Sequence, residues 1–184
     1  MAPKSYIHPY SNSPIKTIIS IFVNLAKRKN MEVAKHLAKN LRALYFGKNW
    51  TATDYQTALA DLTWEEAGQN IEGCNSILTL VHHTTYYMKV QIPVLDGGAL
   101  IASDKESFEH LALENEADWI ALKKDMFSIA ESYATKIEKL PGSILDKPFA
   151  DEKYGSYYRN IQGVIEHSHY HLGQIVLLKK LIRN

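Results

Sequence analysis

Four stretches of the sequence repeat apolar residues at spacings of three and four, which places them on one face of an α-helix. The repeating positions run from Val33 to Leu44, from Ile77 to Gln91, from Trp119 to Leu140 and from Ile161 to Ile182. Strand-like alternation is scarce, and no Asn-Gly or Asp-Gly pair joins two alternating runs. The sequence therefore predicts an all-α protein, most economically a four-helix bundle with an additional N-terminal segment.

Capping residues and helix breakers predict where these helices begin and end. The expected bounds are Gly47 for the end of the first helix, Asn75 or Ser76 to Leu95 for the second, residues 115–118 to Pro141 for the third, and residues 154–157 to the C-terminus for the fourth. Residues 48–74 are expected to be irregular with short helical turns. Within them, Thr63-Trp64-Glu65-Glu66 has the form of a capping box.

The N-terminal part of the sequence differs from the rest in its prolines and its positive charge. Residues 1–14 contain three prolines and are expected to be extended, and the pattern leaves open whether residues 18–30 continue the first helix or break at Asn30-Met31. Residues 1–42 hold eight Lys or Arg and one acid, Glu32. Such a region is either a basic arm for an anionic partner or a solvated helix face, and the solvated face is the favoured interpretation.

Length, net charge and cysteine content exclude several classes of protein. A chain of 184 residues is long enough for one domain with a sizeable core. The formal net charge of +1 provides no overall field for nucleic acid or a membrane. The apolar run Ile18 to Val23 is too short to span a bilayer, and the lone Cys74 excludes an intramolecular disulfide. We therefore expect a cytoplasmic protein that binds neither nucleic acid nor membrane.

Histidines in two of the predicted helices carry the clearest chemical signal. His167 and His171 are four residues apart on the apolar face of the last helix, so both imidazoles point inward. Such a pair chelates one divalent ion, and a stable site requires a third ligand. The second predicted helix offers His82 and His83. His83 is preferred, because it shares a face with apolar residues, whereas His169 is expected to point outward.

Other catalytic signatures are missing from the sequence. There is no His-Glu-x-x-His, no Gly-rich phosphate loop and no Gly-x-Ser-x-Gly nucleophile elbow. Cys74 at a helix start is more often structural than nucleophilic. A histidine pair four residues apart also occurs by chance on helix surfaces. The prediction of a metal site therefore depends on the inward direction of His167 and His171 and on the third histidine, His83.

The same residues resemble a known family. The run from His167 to Ile175 reads His-x-x-Tyr-His-x-Gly-Gln-Ile and resembles the last-helix motif of the DinB-like superfamily. His83-Thr84-Thr85-Tyr86-Tyr87 resembles the segment that carries the family's first metal ligand. The stretches 44–51 and 95–98 are similar to an uncharacterised bacterial subgroup. The resemblance covers residues 31–184 and leaves residues 1–30 as an N-terminal extension.

The resemblance implies a fold, a cofactor and an assembly. The fold would be an antiparallel four-helix bundle in up-down-down-up order. The cofactor would be a divalent ion, expected to be zinc, nickel or iron, with His83, His167 and His171 as its ligands. Related proteins are often homodimers. Some members transfer low-molecular-weight thiols, and "metal-dependent hydrolase" is a frequent label for others.

Three functions follow as hypotheses. The first is a metal-dependent enzyme that activates a thiol for S-transfer, or water for hydrolysis, on a small-molecule substrate. Tyr86, Tyr87 and Tyr170 are expected to supply hydrogen bonds, Glu166 is expected to point away, and no general base is evident, which favours thiol transfer. The second is a non-catalytic metal-binding or stress-response bundle. The third is a basic-arm adaptor that uses residues 1–42.

Overall fold

The computed structural model of the protein describes residues 14–110 and 112–184, except for the side chains of residues 14, 24 and 26–30. All regular secondary structure within these residues is helical, and they contain no β-strand. The predicted all-α class is therefore confirmed. The extended conformation expected for residues 1–13 falls outside the described residues. None of the described helices is long and apolar enough to cross a membrane.

Four long helices and several short ones make up the described chain. The α-helices are α1 (Pro14–Phe46), α2 (Tyr55–Leu59), α3 (Trp64–Gly68), α4 (Ile77–Leu95), α5 (Glu116–Glu138) and α6 (Tyr157–Arg183). Short 3₁₀-helices occupy Glu106–Phe108, Gly142–Ile144 and Glu152–Tyr154. The long helices α4, α5 and α6 match the predicted bounds to within a few residues, and α2 and α3 are the short turns expected between residues 48 and 74.

Side-chain caps explain where these helices begin. The hydroxyl of Ser76 accepts the backbone N–H of Thr79 at the start of α4. Asn115 and Ser156 cap α5 and α6 in the same way. The capping box predicted at Thr63 is confirmed, with the Thr63 and Glu66 side chains each accepting the other residue's backbone N–H.

The sequence left open whether the first helix breaks at Asn30-Met31, and helix α1 runs across this position without interruption. No glycine or proline lies between Pro14 and Gly47, so nothing removes a backbone hydrogen bond along its length. Pro14 occupies the first helical position, where its missing N–H costs nothing. The first buried side chain described in α1 is Ala34, whereas residues 15–23 are exposed. The division at residue 30 therefore stays a prediction.

One core lies between the four long helices. Helix α1 packs against α5 and α6, and α4 packs against the same two helices. Two contacts within each helix pair show the relative direction of the helices. Phe46 contacts Phe127 and Arg42 contacts Glu138 between α1 and α5. Between α4 and α5, Lys89 contacts Asp125, and Asp96, the residue directly after α4, contacts Lys136. Between α4 and α6, Val94 contacts Tyr157 and His83 contacts His167. Residue numbers rise together along α4 and α5, whereas along the other two pairs they run in opposite directions.

The connection from α4 to α5 follows from that arrangement. Because α4 and α5 begin at the same end of the core, residues 96–115 return along its length before α5 starts. The 3₁₀-helix Glu106–Phe108 in this connection packs against α4. It thereby covers the part of α4 that carries His83.

Candidate metal centre

The structure brings together the three histidines singled out in the sequence. His83 extends from α4, and His167 and His171 lie one turn apart on α6. The Nε2 atom of His167 is 3.1 Å from Nε2 of His83 and 2.9 Å from Nε2 of His171. Among the described residues, no other group of three His, Cys, Asp or Glu side chains is this close.

The nitrogen separations suit one shared ion. An imidazole nitrogen binds zinc at about 2.0–2.1 Å, so nitrogens on the same ion lie about 3–3.5 Å apart. His83 and His171 are buried and His167 is half-buried. His82, the alternative in the same helix, lies outside the group and its ring packs near that of His110.

Hydrogen bonds on the far side of two rings fix their tautomers. The Ser107 hydroxyl donates to the Asp104 carbonyl at 2.6 Å, so its oxygen accepts from Nδ1–H of His83 at 2.8 Å. The amide of Gln174 donates to the Tyr170 hydroxyl, which turns its Oε1 toward Nδ1 of His171 at 2.6 Å. With Nδ1 protonated in both rings, each Nε2 presents a lone pair to the centre.

The three converging Nε2 atoms repel one another unless a proton or a cation lies between them. Nε2 of His167 lies between two acceptor nitrogens, and a proton on it can serve only one of them. If His167 carries its proton on Nδ1 instead, its Nε2 lone pair faces those of His83 and His171 at 3.1 and 2.9 Å. A cation at the point where the three nitrogens converge removes this repulsion, and the donor set consists of nitrogens that suit borderline divalent metals. The three residues therefore can hold a metal ion.

Burial keeps the imidazoles in the form that binds metal. It lowers the pKa of His83, with the neighbouring His171 as the next cause. Burial also lowers the pKa of His171, and it lowers that of His167 to about 4, helped by His171 and His83. At neutral pH all three rings are consequently neutral, which is the ligating state.

Aromatic side chains and one loop enclose the group. The Phe108 ring stacks on His83 with centroids 4.1 Å apart, and the Tyr87 ring presents its edge to His83 and His167. The Tyr87 hydroxyl donates to Asp104 at 2.7 Å. Residues 103–108 are thus fastened over the histidines from α4.

The hydroxyls of Tyr86 and Tyr170 form hydrogen bonds with residues around the site and not with the imidazoles. Tyr86 donates to Glu106 and accepts from the Ser103 N–H, while Tyr170 accepts from Gln174. These hydroxyls hold the residues around the site instead of contacting its centre.

Two other expectations concern α6. The His169 Nδ1 atom contacts the Ile165 carbonyl, outside the histidine group, as its position on the helix indicated. Glu166 is exposed and accepts from Gln162. It lies outside the group of three histidines.

Four residues around the centre were not singled out from the sequence: Asp104, Ser107, Phe108 and Gln174. Gln174 follows His171 by three residues on the same helix face, so helical spacing could have identified it. The other three lie in the connection between α4 and α5, which has no periodic pattern. Only the folded chain shows that this connection returns over His83.

A cleft of about 580 Å³ opens beside His167. Tyr87 and Gln91 of α4 line one side of it. The opposite side is formed by the first turns of α6 and by Lys153 and Tyr154 in front of that helix. A small molecule in this cleft reaches the histidine group from the His167 side.

Comparisons of the chain with protein-family models, with curated proteins and with solved structures found no match. The class that the molecule itself defines is an all-helical protein with three convergent imidazoles from two helices. Its function is consequently inferred from the geometry of that group and of the cleft beside it.

Proposed function

We propose that the protein is a metal-dependent enzyme of the DinB-like type, in which His83, His167 and His171 hold one divalent ion beside a small-molecule cleft. The convergence of three Nε2 atoms, two of them with fixed tautomers, carries the proposal. The reaction is the activation of a thiol for S-transfer or of water for hydrolysis.

The proposed fold is an antiparallel four-helix bundle in up-down-down-up order. The contacts between α4 and α5 support it, since residue numbers rise together along these two helices. The opposite order of the contacts between α1 and α5, and between α4 and α6, supports it as well. The long return formed by residues 96–115 is the connection that such an order requires.

The donor set favours an open, catalytic site. Three protein ligands leave at least one coordination position for a substrate, whereas structural zinc sites are usually closed by four. No carboxylate or thiol of the described residues belongs to the group. Zinc, nickel and iron all accept imidazole, and a bound ion of this kind supplies the Lewis acidity that lowers the pKa of a thiol or of water.

The protein's own side chains orient the ligands and shield them from solvent. Ser107 and Gln174 hold two imidazoles in one tautomer, which keeps their Nε2 lone pairs directed at the centre. Phe108 covers the His83 ring and excludes water on that side. The Asp104 carboxylate is engaged by Tyr87. Because no carboxylate lies free against the centre, thiol transfer, which requires no separate base, is the favoured reaction.

A non-catalytic metal-binding bundle is the second candidate. The burial of His83 and His171 beneath Phe108 favours it, since structural ions are shielded from solvent. The two candidates differ in whether an added thiol reaches the ion. A zinc-loaded protein that binds thiols no better than the metal-free protein would support the non-catalytic reading.

The first test is the metal content of untagged protein, measured by mass spectrometry. We expect about one divalent ion per chain in the wild type and its loss in His167→Ala, because a two-histidine remnant binds weakly. His169→Ala is the matched control, since His169 lies on the same helix outside the group. A wild-type protein that neither contains nor takes up a divalent ion would contradict the proposal.

A further inference from the structure

The cleft beside His167 has a floor formed by one row of residues. Arg159, Gly163 and His167 follow each other at intervals of four along α6, so they lie along one side of the helix. All three line the cleft. The rise of the helix places the Cα atoms of Arg159 and His167 about 12 Å apart. A cationic side chain thus lies at one end of the row and a candidate metal ligand at the other.

Gly163 leaves the middle of this row open. A Cβ built on Gly163 meets no atom within 4 Å, so the space above it belongs to the cleft. Any larger side chain at this position would project between Arg159 and His167. The row therefore forms a trough whose length and volume suit a small, elongated molecule.

The positive charges at the far end of the trough are not neutralised by the protein. Arg42 and Arg183 each contact two carboxylates, whereas Arg159 contacts none among the described residues. Lys153, which lines the same end, has its Nζ over the Tyr154 ring at 4.9 Å and likewise meets no described carboxylate. Two cations thus face one end of the cleft without an acidic partner. The carboxylate that lines the cleft, that of Glu166, lies next to His167 at the other end and accepts from Gln162.

The position of Arg159 depends on a glycine in front of α6. Gly155 has a φ of +77°, a conformation that residues with a Cβ rarely adopt. A Cβ at Gly155 would lie 2.9 Å from Cδ of Arg159, so the absence of a side chain lets the arginine lie across this turn.

We propose that this cleft selects a substrate with a carboxylate, which pairs with Arg159 and Lys153 while the reacting group lies along Gly163 against the histidine centre. A planar guanidinium matches a carboxylate through two parallel hydrogen bonds. Arg159 is accordingly a positioning residue, about 12 Å along the helix from His167. The inference rests on the proposed function, because it specifies the substrate class of that same site.

A matched pair of thiols tests the charge preference. The probes are 6-mercaptohexanoate and 6-mercaptohexan-1-ol, which are similar in length and differ in the terminal charge. Titration calorimetry on the zinc-loaded full chain gives the Kd of each. We expect the carboxylate to bind about tenfold more tightly, as a charge-assisted pair allows. Equal affinities of the two probes for the wild type would overturn the inference.

Substitution of Arg159 tests whether this side chain contributes to the preference for the carboxylate. Arg159→Gln should reduce the preference for the carboxylate to the part that Lys153 provides, and leave the Kd of the alcohol and the zinc content unchanged. Lys180→Gln is the matched control, because Lys180 is an exposed cation on the same helix away from this cleft. A preference that is undiminished in Arg159→Gln would refute the assignment.

Substitution of the glycine tests the route. Gly163→Met fills the trough and should weaken both probes without changing the zinc content. The space at Gly163 is open and Met favours a helix more than Gly does, so the variant should fold, and its unchanged zinc content checks this. Unchanged affinities for both probes would show that ligands reach the centre by another path, against the inference.

The same titrations on zinc-free protein separate this inference from the proposed function. The preference for the carboxylate should persist without zinc, because Arg159 and Lys153 provide it, while both affinities decrease as the thiol loses its contact with the ion. If zinc changes neither affinity, the proposed function fails while the carboxylate site stands. If zinc strengthens both probes equally and no preference exists, the carboxylate site fails alone.

Discussion

Gln174 shows how much a single residue outside the ligand set contributes to the histidine centre. Its Oε1 accepts from Nδ1–H of His171 at 2.6 Å, and its amide nitrogen is turned away toward Tyr170. The carbonyl therefore fixes the tautomer of His171 and increases the basicity of Nε2. A residue outside the three histidines thus controls which nitrogen of His171 carries a lone pair toward the other two rings.

This contact predicts the effect of Gln174→Leu. Without the acceptor, the His171 ring is free to rotate and to place a proton on Nε2, so the affinity for zinc should fall about 10- to 100-fold. Competition with a chromophoric chelator measures the affinity. Gln162→Leu is the control, since Gln162 bonds Glu166 on the same helix and does not contact the histidines. Similar affinities for the two variants would remove Gln174 from the site.

At the scale of elements, the connection of residues 103–108 is attached to α4 mainly by polar side chains. The Tyr87 hydroxyl donates to Asp104, and Tyr86 bonds Ser103 and Glu106. The backbone of the 3₁₀-helix itself contributes only short-range bonds, such as Phe108 N–H to the Lys105 carbonyl. The order of this cover over His83 therefore depends on the tyrosines of α4.

Tyr87→Phe is predicted to loosen that cover and to leave the ring contacts in place. Removal of the hydroxyl breaks the bond to Asp104, and amides of residues 103–108 should exchange with deuterium about fivefold faster, since one lost hydrogen bond lowers the opening free energy by about 1 kcal/mol. Hydrogen-exchange mass spectrometry reports this directly. Tyr158→Phe, at an exposed tyrosine of α6, should leave the same amides unaffected.

The C-terminal end of α6 is held by charged groups to α3 and to the segment between α2 and α3. Asp61 accepts from Lys179 and Arg183, and Arg183 also contacts Glu66. The Lys179 ammonium and then the Arg183 guanidinium hold the pKa of Asp61 well below its usual range. The carboxylate thus stays ionised in the folded protein at pH values where the unfolded chain takes up a proton.

A pH dependence of stability follows from the lowered pKa of Asp61. Because the pKa is lower in the folded state, the stabilisation is complete above about pH 5 and declines as the pH falls below the unfolded value near 4. Asp61→Asn should lower Tm by about 2 °C at pH 7 and by less at pH 3, a size limited by solvent exposure. Asp146→Asn, at an exposed aspartate, is the control. A difference in Tm that grew toward pH 3 would contradict this assignment.

The helices and the convergence of the three histidines could be predicted because both depend on periodic positions. His167 and His171 share a face with buried Val164 and Ile175, so the spacing of these residues predicts that both imidazoles point inward. Ser107 and Phe108 could not be found this way, since their contact with His83 arises only when residues 96–115 return over α4. The continuity of α1 was equally hidden, because residues 15–25 are apolar around most of the helix and give no clear face.

At the scale of the whole molecule, the two halves of α1 differ in their surroundings. Ala34, Leu37, Leu41 and Leu44 are buried in the common core. Ile15, Ile18 and Phe22 are more than half exposed, so the helix extends beyond the body that it helps to form. A set of exposed apolar side chains on one segment is typical of surfaces that associate with other molecules. The predicted homodimer and the predicted boundary at residue 30 can be tested together.

A chain that begins at Met31 is predicted to keep the fold and the metal centre. The described contacts of the core and of the three histidines all lie beyond residue 30, so its Tm should stay within about 3 °C of the full chain, a change of about 1 kcal/mol. The zinc content should be the same. Sedimentation should show the full chain associating more strongly than the shortened one, because residues 15–25 expose apolar surface. A large loss of Tm would place residues 1–30 within the folded domain, and equal association of both chains would exclude this helix segment as the contact.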